Sequence, residues 1–212
     1  MKPLLKICGM KHNMVEVAKL RPDYLGFIFY EKSPRFFDAE EISSLPEGIK
    51  KVGVFVNETI SKLIALCIKH SLDVIQLHGN ESKEYVLDLQ ANLRLYYPTI
   101  QVWKVFSVDN NFDFDQLSNF QNKVDAFLFD TKGKEKGGNG YTFNWEILKD
   151  YPSKKPFILS GGIGLEEMEE LKKLLKTDLP IYAIDVNSRF ETEPGRKDIS
   201  KLEKFMHVFK HD

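Results

Sequence analysis

The sequence predicts an α/β chain folded as a single-domain, closed (β/α)8 barrel over residues 1–212, and three observations carry that expectation. Eight short runs rich in Val, Ile, Leu and Phe recur along the chain. Segments with helical spacing lie between several of them. The first strand-to-helix turn reads "CGMKHN", with no GxGxxG. Nearly continuous apolar runs suit strands buried on both faces. Their alternation with helices means parallel strands joined by crossovers. An open doubly wound sheet is the alternative, and the missing glycine fingerprint counts against it. Such barrels usually run to about 250 residues with a lower bound near 200, so this one is compact.

In order, the strand runs are "LLKICG" (4–9), "DYLGFIF" (23–29), "KVGVFVN" (51–57), "DVIQLHG" (73–79), "VWKVFSV" (102–108), "AFLFD" (126–130), "PFILSGG" (156–162) and "IYAIDVN" (181–187). After the third, Ile60, Leu63, Ile64, Cys67 and Ile68 fall on one helical stripe. After the seventh, Leu165, Met168, Leu171 and Leu175 do the same over 165–176, with Glu169 and Lys173 as an i,i+4 pair. The last segment places Leu202, Phe205, Met206 and Phe209 on one face, with Asp198 or Ser200 as N-cap. A helix is expected after strands two and five as well, although 109–122 is short, polar and Asn-rich.

Composition excludes several classes. A net charge of −1 gives no basic field for nucleic acid. Apolar runs of about seven residues are far short of a membrane span. Two cysteines make no disulfide framework. The stretch "MKPLLKICGMKHN" has no apolar segment of signal length, so the expectation is a cytoplasmic chain. No His/Cys/Glu set has metal-ligand spacing, and there is no Walker loop, so neither metal nor cofactor is expected.

Active sites of such barrels form at the C-terminal strand ends. Those ends carry Cys8-Gly9, Asn57, His78-Gly79, Asp130, Ser160-Gly161-Gly162 and Asp185-Val186-Asn187. Cys8 is either a small buried hydrophobe or, if its surroundings favour the thiolate, a general base. Asp130, ending four apolar residues, is an N-cap, a salt-bridge partner for Lys132, or a general acid. Gly161 and Gly162 make either a plain turn or a backbone that approaches an anion. The loops after strands seven and eight often build a phosphate site together with a short extra helix, which "NSR" (187–189) is placed to start. Arg35, behind Pro34, faces solvent or holds a carboxylate bidentately. His78 is catalytic or a hydrogen-bonding residue of the rim. The loop "KGKEKGGNGYTF" (132–143) reads as a lid hinged at Gly137, Gly138 and Gly140, or as a surface loop.

Seven segments in order, "KICGM", "SPR", "GVFVN", "QLHG", "FD" with "GGNGYTFNW", "LSGGI" and "IDVNSRFETEPGRKD", resemble the phosphoribosylanthranilate isomerase family of tryptophan biosynthesis. The resemblance implies a cofactor-free Amadori rearrangement of a sugar-phosphate substrate by a monomer or homodimer. It implies Asp130 as general acid at the ribose ring oxygen, Cys8 as general base at C2', and Arg35 on the anthranilate carboxylate. Gly161, Gly162 and the strand-eight loop with Asp185, Asn187 and Ser188 would bind the phosphate end, and His78 would contact substrate. The family reads Ser-Ser-Gly-Val-Glu where this chain has Asn187, Ser188, Arg189, Phe190 and Glu191. Arg189 in the glycine position either adds a charge to the phosphate or points away. An isomerase that also serves histidine biosynthesis would carry aspartates at both catalytic strand ends, and Cys8 counts against it. A non-catalytic ligand-binding barrel has no need of both Cys8 and Asp130.

Overall fold

Period-two alternation decides the interior of this molecule, because every strand is buried on both faces and each parity meets a different neighbour. The computed structural model describes residues 2–131 and 144–211. The strands are β1 (Leu4–Ile7), β2 (Tyr24–Ile28), β3 (Lys50–Phe55), β4 (Val74–Leu77), β5 (Gln101–Val108), β6 (Ala126–Thr131), β7 (Phe157–Leu159) and β8 (Ile181–Val186). They pair in sequence order, all parallel, and β8 pairs with β1 to close the barrel. At that seam Lys6 is the register partner of Asp185. The expected closed barrel is therefore present, and the open sheet is not.

One parity fills the barrel: Tyr24, Val52, Val74, Trp103, Leu128 and Ile158 form an inner cluster. Tyr24, Trp103 and Tyr182 meet edge-on or tilted near the N-terminal end, with the two tyrosine hydroxyls 2.6 Å apart. The other parity, with Leu5, Ile7, Leu25 and Phe27 as examples, packs outward beneath the crossovers.

The helices are α1 (Met14–Lys19), α2 (Ile60–His70), α3 (Lys83–Tyr96), α4 (Met168–Leu175) and α5 (Ile199–His211). Thr59 caps α2 and Ser82 caps α3 by accepting from the N–H three residues on. Asp198 does this for α5, accepting from Lys201 at 3.0 Å, so it and not Ser200 is the cap. α4 is shorter than the predicted 165–176, and Leu165 lies outside it, 37% exposed.

The helices expected after β2 and β5 are not there. The β2–β3 connection contains Pro34 and Pro46, which do not continue a helix, and pairs Phe36 with Ile28 as an isolated bridge. A 3-10 helix, Phe114–Asn119, stands after β5, and another, Trp145–Asp150, precedes β7. Aromatic rings supply the cover instead. Phe37 packs edge-on against Phe27 and Phe29, while Phe112 and Phe120 pack on Phe106, and Phe114 on Phe129. After β8 a third 3-10 turn, Ser188–Phe190, leads into the small antiparallel pair β9 (Glu191–Glu193) and β10 (Arg196–Lys197). Among the described residues no helix is long and apolar enough to cross a membrane.

Candidate active site

The inward parity that packs the barrel floor continues upward as Cys8, Ile28, Val54, Gln76, His78, Asp130, Ser160, Asp185 and Asn187. All of these line one cavity of about 680 Å³, mouth included, at the C-terminal end. Gly161, Gly162, Ser188 and Arg189 complete its rim. The structure thus brings together Cys8, His78, Asp130, Gly161, Gly162, Asp185, Asn187 and Ser188, whereas Arg35, Gly9, Asn57 and Gly79 do not line the cavity.

Cys8 directly follows β1 and donates its N–H to the Val186 carbonyl. Burial pushes its thiol up, against the pull of the Lys6 ammonium, so in this structure the surroundings do not favour the thiolate. The room for its sulfur comes from Gly26 on β2, where a Cβ would lie 2.8 Å from Sγ. Cys67 is a buried core residue of α2, its thiol pushed up to about 12 by burial.

Asp130 is buried and faces His78 Nε2 through Oδ2 at 3.4 Å. The Gln76 amide nitrogen lies 3.2 Å from His78 Nδ1, on the other side of the ring from Asp130. His78 thus stands beside the carboxylate in the cavity. Glu81 fixes its loop by accepting from the Asn57 and Gly79 N–H groups and from Lys104. The suggested Lys132 partner and the lid at 132–143 lie outside the described residues.

Backbone conformation and close packing both require the glycine pair. Gly161 and Gly162 have φ of +90° and +70°, and a Cβ on Gly161 would lie 2.3 Å from Thr131 Oγ1. The helix expected to follow directly begins only at Met168, because Glu167 turns back and accepts from the Gly164 N–H at 2.9 Å. The short helix after β8 is present, and Arg189 within it is not at positive φ. Its guanidinium lies 3.5 Å from both Glu166 and Glu167 while the residue still lines the cavity.

Arg35 presents its fork to Glu191: Nε lies 3.0 and 2.9 Å from the two oxygens, and Nη2 is 2.7 Å from Oε2. Glu191 also accepts from Lys197 at 2.8 Å, and Lys197 donates to Asn187 Oδ1 at 2.7 Å. The solvent-facing alternative for Arg35 is wrong, since its side chain is only 13% exposed. Gly9, at φ +75°, lets the chain pass this network; a Cβ there would lie 2.7 Å from Asn187 Oδ1 and 2.9 Å from Arg35 Cδ.

Reading from the sequence missed Lys6, Gln76 and the Glu191–Lys197 pair. A lysine inside "LLKIC" reads as a solvent-facing strand residue. The available signal was parity: Lys6 shares the face of Leu4 and Cys8.

The model of the family described as N-(5'phosphoribosyl)anthranilate (PRA) isomerase matches residues 5–208. A relative from Parabacteroides distasonis named N-(5'-phosphoribosyl)anthranilate isomerase is 41% identical, covering 98% of this chain and 94% of the relative. The phosphoribosyl anthranilate isomerase structure from Thermotoga maritima is similar with a TM-score of 0.80 at 30% identity, covering 99% of each chain. A phosphoribosyl anthranilate isomerase in complex with reduced 1-(o-carboxyphenylamino)-1-deoxyribulose 5-phosphate is similar with a TM-score of 0.77 at 27% identity, again over 99% of each chain.

Proposed function

The chain belongs to the N-(5'-phosphoribosyl)anthranilate isomerase family, and from that premise we propose which of its residues carry the family's reaction. The reaction, in tryptophan biosynthesis, converts N-(5'-phosphoribosyl)anthranilate to 1-(2-carboxyphenylamino)-1-deoxyribulose 5-phosphate.

Asp130, as the carboxylic acid, protonates the ribose ring oxygen. The C1'–O bond breaks and the nitrogen lone pair forms C1'=N, giving an iminium. The Cys8 sulfur, as thiolate, then takes the C2' proton. The C–H pair becomes C1'=C2', and the iminium π pair returns to nitrogen. Protonation at C1' and loss of the C2' hydroxyl proton complete the ketone. Each proton transfer by a positioned group contributes about 10²–10⁴-fold.

Arg35 takes the anthranilate carboxylate with the N–H groups of its fork turned away from Glu191. Gly161, Gly162, Asn187 and Ser188 hold the phosphate, a role suited to glycine backbone N–H groups beside a helical turn. His78 and Asp185 orient the sugar between the two ends. The protein acts in the cytoplasm as a monomer or homodimer, with the barrel spanning residues 1–212.

The observation that supports this reading is the convergence of Cys8, Asp130 and both phosphate loops on one cavity. Its test is turnover: purified protein mixed with freshly made phosphoribosylanthranilate should abolish the substrate's anthranilate-type fluorescence. Unchanged fluorescence under conditions where a known isomerase reacts would sink it.

A further inference from the structure

Lys6 is fully buried inside the barrel, one inward position below Cys8. Its Nζ lies 2.7 Å from Asp185 Oδ2 across the β1–β8 seam, and its side chain shares an inward face with the Cys8 sulfur, whose charge its ammonium attracts. Asp185 Oδ1 is buried without a hydrogen-bond partner among the described residues, while Ser160 Oγ stands 3.4 Å from Oδ2. Gly26 makes this crowding possible, because a Cβ there would meet both Cys8 Sγ at 2.8 Å and Lys6 Cε at 3.2 Å.

A buried lysine–aspartate pair is a poor choice for stability alone, since desolvation consumes most of the attraction and an apolar pair packs as well. The layers below Lys6 are apolar and aromatic, so the barrel interior does not need charge here. We propose that Lys6, anchored by Asp185, is a positioning residue that holds an ammonium against the Cys8 sulfur so that the thiolate can form when the C2' proton is to be taken. The inference rests on Cys8 being the proton acceptor. Lys6 touches no substrate atom; it acts through the sulfur.

The charges facing Cys8 fix the sign. Lys6 from β1 and Lys197 from β10 favour the thiolate, and Asp185 from β8 opposes it. Asp130 and His78 act on Asp185, and Glu191 and Arg35 on Lys197. Burial works against the Lys6 charge, but Asp185 and then Cys8 outweigh it and hold its pKa above the usual lysine value. The ammonium therefore persists through neutral pH. Removing it leaves Lys197 to work alone against Asp185 and burial.

The test is the titration of Cys8 in the full-length protein. Iodoacetamide alkylation, read by mass on the Cys8 peptide from about pH 6 to about 11, gives the thiol midpoint independently of turnover. In Lys6→Met the midpoint should rise by about 1–3 units, the usual effect of one close opposite charge. kcat should fall at least about tenfold, the loss of thiolate per unit. The double variant Lys6→Met/Asp185→Asn removes the unpaired buried carboxylate and should keep the raised midpoint relative to Asp185→Asn alone. A midpoint unmoved in both Lys6 variants, with their folds intact by circular dichroism, overturns the proposal. So does a raised midpoint with wild-type kcat in Lys6→Met. Cys8→Ala reports separately on the base assignment: normal turnover there removes Cys8 from the reaction, and any midpoint shift then describes an ion pair with no catalytic part.

Discussion

Cys8 and Cys67 carry one functional group into two environments, and the consequences of removing them should separate cleanly. Cys8→Ala deletes a small side chain at a strand end, so stability should hold while kcat falls by about 10²–10⁴. Cys67 packs in the buried layer under α2, where burial raises its thiol. Cys67→Ala should cost about 1–2 kcal/mol in urea denaturation and leave kcat unchanged. Because burial dominates at Cys8, its alkylation rate should keep climbing with pH and show no plateau below about pH 9, above the reference thiol value near 8.5. A plateau near neutrality would show that Lys6 and Lys197 outweigh burial. Asp130→Asn keeps the shape but delivers no proton, so kcat should collapse while affinity for a product analogue holds. Turnover within about tenfold of wild type would make Asp130 structural. Arg35→Ala should mainly raise KM, and Arg35→Lys should rescue poorly because the planar fork that engages Glu191 is lost.

The strand-eight excursion works as a unit through Glu191, which gathers Arg35, Lys197 and the Gly195 N–H. Burial works against its charge, but Arg35 and Lys197 outweigh it and hold its carboxyl below the ordinary glutamate value. The sign follows from linkage. A depressed folded pKa contributes stability that is present above the unfolded value, near 4.3, and is lost as pH falls through the folded one. Glu191→Gln should therefore cost about 3 kcal/mol at pH 7, since two cations lose their partner, and the difference from wild type should shrink below about pH 4. A difference that is constant with pH would mean that the cost is packing alone. The β7 loop carries a steric version of the same test. Gly161→Ala combines positive φ with a Cβ in contact with Thr131, so it should cost more than the 1–2 kcal/mol of left-handed backbone alone and should raise KM.

At the scale of the barrel the two ends divide labour: residues at the N-terminal end hold the structure, and those at the C-terminal mouth do the chemistry. Trp103→Ala, which empties the aromatic plug shared with Tyr24 and Tyr182, should cost about 3–5 kcal/mol and leave KM unchanged. A large KM change at preserved stability would refute that division. Runs of apolar residues announced the eight strands, because a strand buried on both faces has few polar positions to blur the signal, Lys6, Gln76 and Lys104 among them. Cys8, His78, Asp130 and Asp185 were legible for the same reason, as polar residues at the ends of such runs. The missing helices after β2 and β5 were not, since Phe37, Phe112 and Phe114 cover the barrel as single rings packed on strand aromatics, with no helical period to mark them. Nor did sequence alone settle Arg35, whose partner Glu191 lies 156 residues away, or Lys6, 179 residues from Asp185. Local periodicity writes which residues are buried; only closing β1 against β8 decides that Lys6 meets Asp185, because that contact is made by the last barrel strand and by nothing along the chain between.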